Sequence, residues 1–192
     1  MPLPTVTRDP IVVAGALAIL LLSGASGSAQ QPSGPGPACG WSLKQLACMD
    51  WQSLEAIYRQ AEPGAVPQVY LRGKAIYCTE SFLSGPKSAV TGAFWHGKEF
   101  HPCDGMLINQ WLGVKAVRAR VYLGSSWLDG KPSIIMDYRG VSRVVWKNVR
   151  DEIREVAPGV YLGVMYEEKS CCAHMRMFFA LETPACQKCS CR

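Results

Sequence analysis

The sequence predicts a mainly β chain: an antiparallel meander closed as a β-barrel, with one short N-terminal helix. Three observations carry this. From Val66 onward, short runs rich in Val, Ile, Tyr, Phe and Trp alternate with Gly, Pro and Asp, the punctuation of strands and turns. The turn pairs Asp129-Gly130 and Pro158-Gly159 separate such runs, and VRDEIREVAPGVYLGVMY at 149–166 reads as a hairpin bent at the second pair,. No helical crossover period interrupts the series, so neighbouring strands run antiparallel. A long meander of this kind hides its edges most completely by closing on itself.

The first 29 of the 192 residues have the layout of a secretory signal,. Arg8 lies in a short polar start, Ile11 to Leu22 is apolar, and Gly27-Ser28-Ala29 supplies the small residues before cleavage. An apolar run this short falls below the roughly 20 residues of a membrane span. The expectation is an exported protein, secreted or periplasmic, with no stable membrane insertion once the signal is removed. Residues 30–42 read as a flexible Pro/Gly-rich leader, 43–182 as a single barrel domain with its helix, and 183–192 as a Cys-rich tail.

Asp50 is placed to cap a helix over 51–61, with Leu54, Ile57, Tyr58 and Ala61 on one face and Pro63-Gly64 at its end,. Strands are expected at 67–71, 74–78, 90–96, 106–111, 114–123, 133–138, 142–147, 149–156, 160–166 and 174–182. The net charge of +5 is modest, and its Lys and Arg are mixed with Asp and Glu, which argues against nucleic-acid binding.

Nine cysteines follow the signal, and in an exported chain they predict disulfides. An odd number leaves at least one thiol unpaired within the chain or joins two chains in a disulfide-linked dimer. Cys39 and Cys48 are expected to tie the N-terminal segment to the barrel, and the trio Cys186, Cys189 and Cys191 to be tied back to Cys171 or Cys172. That trio, with Cys171, Cys172 or His174, also has the ligand chemistry for Zn or Cu(I). Export favours oxidation, so neither a metal nor another cofactor is expected.

The W-x-G-K-x-F run at 95–100, SWLDGKPSIIMDY at 126–138 and RDEIREVAPGVYLG at 150–163 resemble small bacterial β-barrel proteins of the lipocalin-like or calycin type, with the GXWXG and nitrobindin-like families nearest. The resemblance implies an interior pocket for a small hydrophobic or amphipathic ligand, occasionally haem. Trp95, Phe100, Trp111, Trp127 and Tyr138 are the candidate pocket lining, and Arg118 and Arg120 the candidate head-group contacts. Alternatively those two arginines face water and pair with carboxylates across strands. Haem would require an axial residue from His96, His101 or His174. Each of these reads better as a surface or hydrogen-bonded histidine, with His96 and His101 on opposite strand faces,. Arg150, Glu152 and Arg154 read as a solvated charge ladder, and Asp151 with Glu155 as a carboxylate pair of unknown separation. No nucleophile elbow, zinc-protease helix or phosphate loop is present, so a binding protein is favoured over an enzyme. The competing readings are a cell-envelope interaction module and a metal-binding protein working through the tail.

Overall fold

The computed structural model describes residues 6–7, 40–78, 94–142, 146–169 and 172–184. A two-residue strand β1 (Val6–Thr7) precedes helices α1 (Leu43–Leu46) and α2 (Trp51–Gln60). Eight strands follow: β2 (Tyr70–Cys78), β3 (Trp95–His101), β4 (Met106–Trp111), β5 (Val114–Ser125), β6 (Pro132–Asp137), β7 (Val149–Ala157), β8 (Val160–Lys169) and β9 (Cys172–Glu182). Each of β2 to β9 pairs antiparallel with its chain neighbour, and β9 pairs back onto β2. The sheet is therefore a closed eight-stranded meander barrel, as expected. β1 lies parallel to β9 at Ala173 and His174, beyond the point where β2 stops.

The expected helix forms with Asp50 as its N-cap, Oδ1 accepting from Ser53 N–H at 2.7 Å,. α1 was not foreseen; its four residues are held by a capping box between Ser42 and Gln45,. Several strand boundaries differ from expectation. The runs at 67–71 and 74–78 fuse into β2, while β3 begins at Trp95, and residues 90–93 of the strand expected at 90–96 lie outside the described residues. The stretch at 142–147 forms no strand among its described residues, where Ser142, Trp146 and Lys147 lie in bends and turns.

Two apolar layers hold the fold together. The barrel interior is filled by Phe100, Leu107, Ala119, Ile134, Met136, Ile153, Met165, Met177, Phe179 and Leu181. On the outside, Leu54 and Tyr58 of α2 and Leu46 of α1 cover Leu162, Val164, Tyr166, Phe178 and Ala180. α2 thus withdraws one outer wall of the barrel from water. That explains why β8 and β9 read as nearly continuous apolar runs rather than as alternating strands.

The same covering overturns the charge-ladder reading of β7. Arg150, Glu152 and Arg154 are buried, the last two completely. Glu152 accepts from Arg150 Nε and Trp127 N–H, both at 2.9 Å, and from the Ser126 hydroxyl. Arg154 forks onto Asp129 at 2.7 and 2.8 Å and donates to the Tyr58 carbonyl at 3.0 Å, the bidentate geometry that suits guanidinium. Trp127 belongs to this outer layer, under the Arg150 guanidinium and edge-on to Tyr166. It is not pocket lining.

Cys48 and Cys103 are exposed thiols with no disulfide. The expected staple from Cys48 is therefore absent. Cys39, Cys171 and the motif at 186–191 lie outside the described residues.

The β4–β5 hairpin turns through Leu112 and Gly113, both with positive φ, +47° and +79°. This is the signature of a type I′ turn, which favours Asn-Gly. A leucine that is 62% exposed contributes little core there while carrying a left-handed backbone. Leu112→Asn is expected to stabilise the protein by about 0.5–1 kcal/mol in urea unfolding.

Candidate functional site

The strand ends at Trp95, Trp111, Val114, Asp137, Val149, Lys169 and Cys172 define one mouth of the barrel. Just inside it, four polar side chains meet, three from β3, β4 and β7 and one, Tyr138, from the residue that follows β6. Lys98 of β3 is 2% exposed. Its Nζ donates to Asp151 Oδ2 at 2.8 Å, to Asn109 Oδ1 at 2.9 Å and to Tyr138 Oη at 2.6 Å. These use all three ammonium donors. Tyr138 donates to Asp151 Oδ2 at 2.9 Å, and Trp95 Nε1 to Asn109 Oδ1 at 3.1 Å. The rings of Trp95, Tyr138 and Phe179 stand 5.2–5.4 Å from the ammonium, within cation–π range. Burial pulls Lys98 below the ordinary lysine range, against the pull of Asp151. Burial and the Asp151 charge push the Tyr138 phenol well up.

Two backbone irregularities build this cluster. A bulge between Trp95 and Gly97 changes the side-chain phase, so that Trp95 and Lys98, three apart, both point inward with Phe100. Gly97 has φ +146°, and a Cβ there would collide with the Leu71 carbonyl oxygen, so only glycine fits. The second is Val117, at φ +63°, a strained conformation for a β-branched residue. It is the extra residue where Ile108 pairs with Arg118 and Asn109 with Ala116. Its carbonyl accepts from Asn109 Nδ2 at 2.9 Å. That contact fixes the amide so that its oxygen faces Lys98 and Trp95. Strain is here spent on aiming one side chain.

Above the cluster lies a cavity of about 20 Å³, lined by Trp111, Val117, Trp146, Val149, Met165, Met177 and Phe179 together with Asp151 and Lys98. It holds roughly one water, not the ligand-sized chamber the resemblance implied. The Trp111 and Trp146 rings stack across it at 5.4 Å. Two buried polar atoms on its lining have no partner: Asp151 Oδ1, an acceptor, and Trp111 Nε1, a donor.

Of the expected lining, Trp95, Phe100, Trp111 and Tyr138 do face the interior, and Trp95, Trp111 and Tyr138 border the cavity itself. Arg118 and Arg120 do not. Both are exposed on the outer face of β5 while Ala119 between them is buried inside. They make no ion pair among the described residues, so the cross-strand pairing reading fails as well. His96 and His101 are both exposed, because the bulge brings their faces into register. No histidine lines the cavity, so the donors for haem ligation are missing there. Asp151 and Glu155 are not a catalytic pair. Asp151 is held by Lys98, and Glu155, four residues along β7, accepts from the Gly159 amide at 2.8 Å.

The sequence reading missed Lys98, Asn109 and Asp151, though a signal existed. Each sits two residues from an inward apolar neighbour on its own strand: Phe100, Leu107 and Ile153. A polar residue in phase with an apolar face is a buried polar residue.

Fold and site together define a closed, lipocalin-like meander barrel with a polar floor under a small aromatic-walled cavity. No protein-family model matches the chain, and no curated protein matches it. Among solved structures, a protein from Thermomonospora curvata is similar at a TM-score of 0.47 and 16% identity, over 71% of this chain and 88% of that one.

Proposed function

We propose that this is an exported binding protein that takes a small, uncharged, hydroxyl-bearing apolar molecule at the Trp111–Trp146 mouth. The observation that carries the reading is the pair of unsatisfied buried atoms of opposite sense in the lining of one cavity, Asp151 Oδ1 and Trp111 Nε1. Leaving such groups unpaired costs about 1–3 kcal/mol each. A hydroxyl accepts from the indole and donates to the carboxylate, so one group satisfies both. A carboxylate ligand would meet Asp151 as a like charge and has no proton to give it. The apolar remainder would lie against Met165, Met177 and Phe179, with the two tryptophans turned outward to admit it.

The test compares 1-decanol with decanoate by tryptophan fluorescence titration. Binding of the alcohol, at least tenfold weaker binding of the acid, and a roughly fivefold loss for the alcohol in Trp111→Phe are expected. Failure of the alcohol to bind would mean that the cavity serves a water and nothing larger, and equal binding of the acid would mean that the site does not select for a hydroxyl. Export is checked separately: the N-terminal residue of protein recovered outside the cytoplasm should be Gln30.

A further inference from the structure

We propose that the mouth of the barrel docks onto an anionic lipid surface, with the β4–β5 hairpin tip as the inserted element. The inference rests on the surface around the mouth and stands whether or not a ligand occupies the cavity. Among the described residues, the outermost side chains there are apolar. Leu112 and Val114 are each 62% exposed and Phe94 is 42% exposed. They form one patch, because the Leu112 N–H donates to the Phe94 carbonyl at 3.0 Å and Val114 closes the two-residue turn against Trp111. Leu112 occupies its left-handed position at an energetic cost where Asn would be favoured. The fold gains nothing from that choice, since the side chain reaches solvent.

Behind the tip stand Trp111 and Trp146, half-buried and in mutual contact. Behind these, on the outer surface, come exposed cations. Lys147 follows Trp146 directly, and Arg118 lies about 13 Å along β5 from Val114 at the usual strand rise, with Arg120 beyond it. None of these three makes an ion pair among the described residues. The acidic groups on neighbouring strands are already engaged: Glu99 by Lys115 at 2.7 Å, and Asp137 and Glu168 by Arg139 at 2.8 and 3.4 Å. Among the described residues, the excess charge at this end is therefore positive.

The order from the tip inward is aliphatic, then tryptophan, then lysine and arginine. It matches the order a bilayer presents from its hydrocarbon through its interface to its charged surface. A protein partner would match the apolar patch but gives no reason for this layering. A surface of anionic lipid satisfies all three layers together.

The experiment is hydrogen–deuterium exchange on the full chain with phosphatidylcholine vesicles, with and without 30% phosphatidylglycerol. Peptide-level readout keeps any contact by the apolar segment at 11–22 apart from contact at the hairpin. Protection of peptides spanning 111–115 and 146–148 is expected with the anionic vesicles only. Partitioning at the hairpin should fall about fivefold for each of Arg118→Gln and Lys147→Gln, and hairpin protection should disappear in Leu112→Gln/Val114→Gln, whose circular dichroism should stay that of the wild type. Unprotected hairpin peptides, equal protection by neutral vesicles, or protection that appears without vesicles as protein concentration rises would overturn the proposal. The last result would assign the patch to a second copy of the chain. Alcohol binding with an unprotected hairpin would sink the docking alone, while a protected hairpin without alcohol binding would sink only the pocket reading.

Discussion

Replacing Lys98 by Met is expected to cost about 3–5 kcal/mol of stability in urea unfolding at pH 7, the usual penalty for removing one partner of a buried ion pair. Asp151 would keep its place inside the barrel, 4% exposed, having lost its cation. Tyr138 and Asn109 would also lose the donor they share with it. The double variant Lys98→Met/Asp151→Leu should recover most of the loss, because matched apolar replacement removes both desolvation penalties together. A single variant within 1 kcal/mol of the wild type would show that the interior is wet enough to solvate a lone carboxylate. A double variant as unstable as the single would show that the cluster holds the floor through shape rather than charge.

The second large effect is alkaline unfolding. Burial pushes the phenols of Tyr58, Tyr138 and Tyr166 up from the ordinary value of 10.0, and that of Tyr161 up to about 12. In the unfolded chain these groups lose their protons near pH 10 while the folded chain retains them. The stability they supply is therefore complete below pH 10 and is lost above it, at about 1.4 kcal/mol per pH unit for each group. Lys98 has the opposite sign. Its folded value is lowered, so its contribution rises with pH until 10.5 and is constant beyond. Four tyrosines remove roughly 5.6 kcal/mol per pH unit above that point, so a domain of ordinary stability unfolds at about pH 11–12. Phenolate absorbance and loss of circular dichroism should rise together there. Phenolate absorbance near pH 10 with the fold intact, in excess of what the other three of the seven tyrosines can supply, would show that these four are accessible to water.

The sequence made strands legible wherever side-chain alternation continued undisturbed to a turn. β4 matches its expected limits, and the hairpin of β7 and β8 turns at Pro158-Gly159 with Gly159 at φ +72°. Legibility failed where one residue was added to a strand. The bulges at Gly97 and Val117 leave no mark in composition, yet each reverses the inward and outward sets beyond it. It failed again on the outer face of β7. There, whether Arg150, Glu152 and Arg154 meet water depends on where α2 settles, and α2 is ninety residues away in sequence. The cluster of Lys98, Asn109, Tyr138 and Asp151 depends on both causes at once. Its members come from three strands and the end of a fourth, and one of them is in phase with Trp95 only because of a bulge.

The closing seam has a consequence for how the barrel assembles. Six of its strand junctions join chain neighbours through the turns and loops between β3 and β9, and each can form early with little loop entropy to overcome. The junction of β2 with β9 brings Arg72 to Glu182, residues at opposite ends of the domain, and these two side chains are themselves an ion pair. Pairing at such separation is slow to nucleate and comes after the local hairpins. The last step of folding is therefore expected to be the shutting of this seam. Until it shuts, β2 and β9 are two open edges, so the interval before closure is when the newly made chain is most exposed to pairing with another copy of itself.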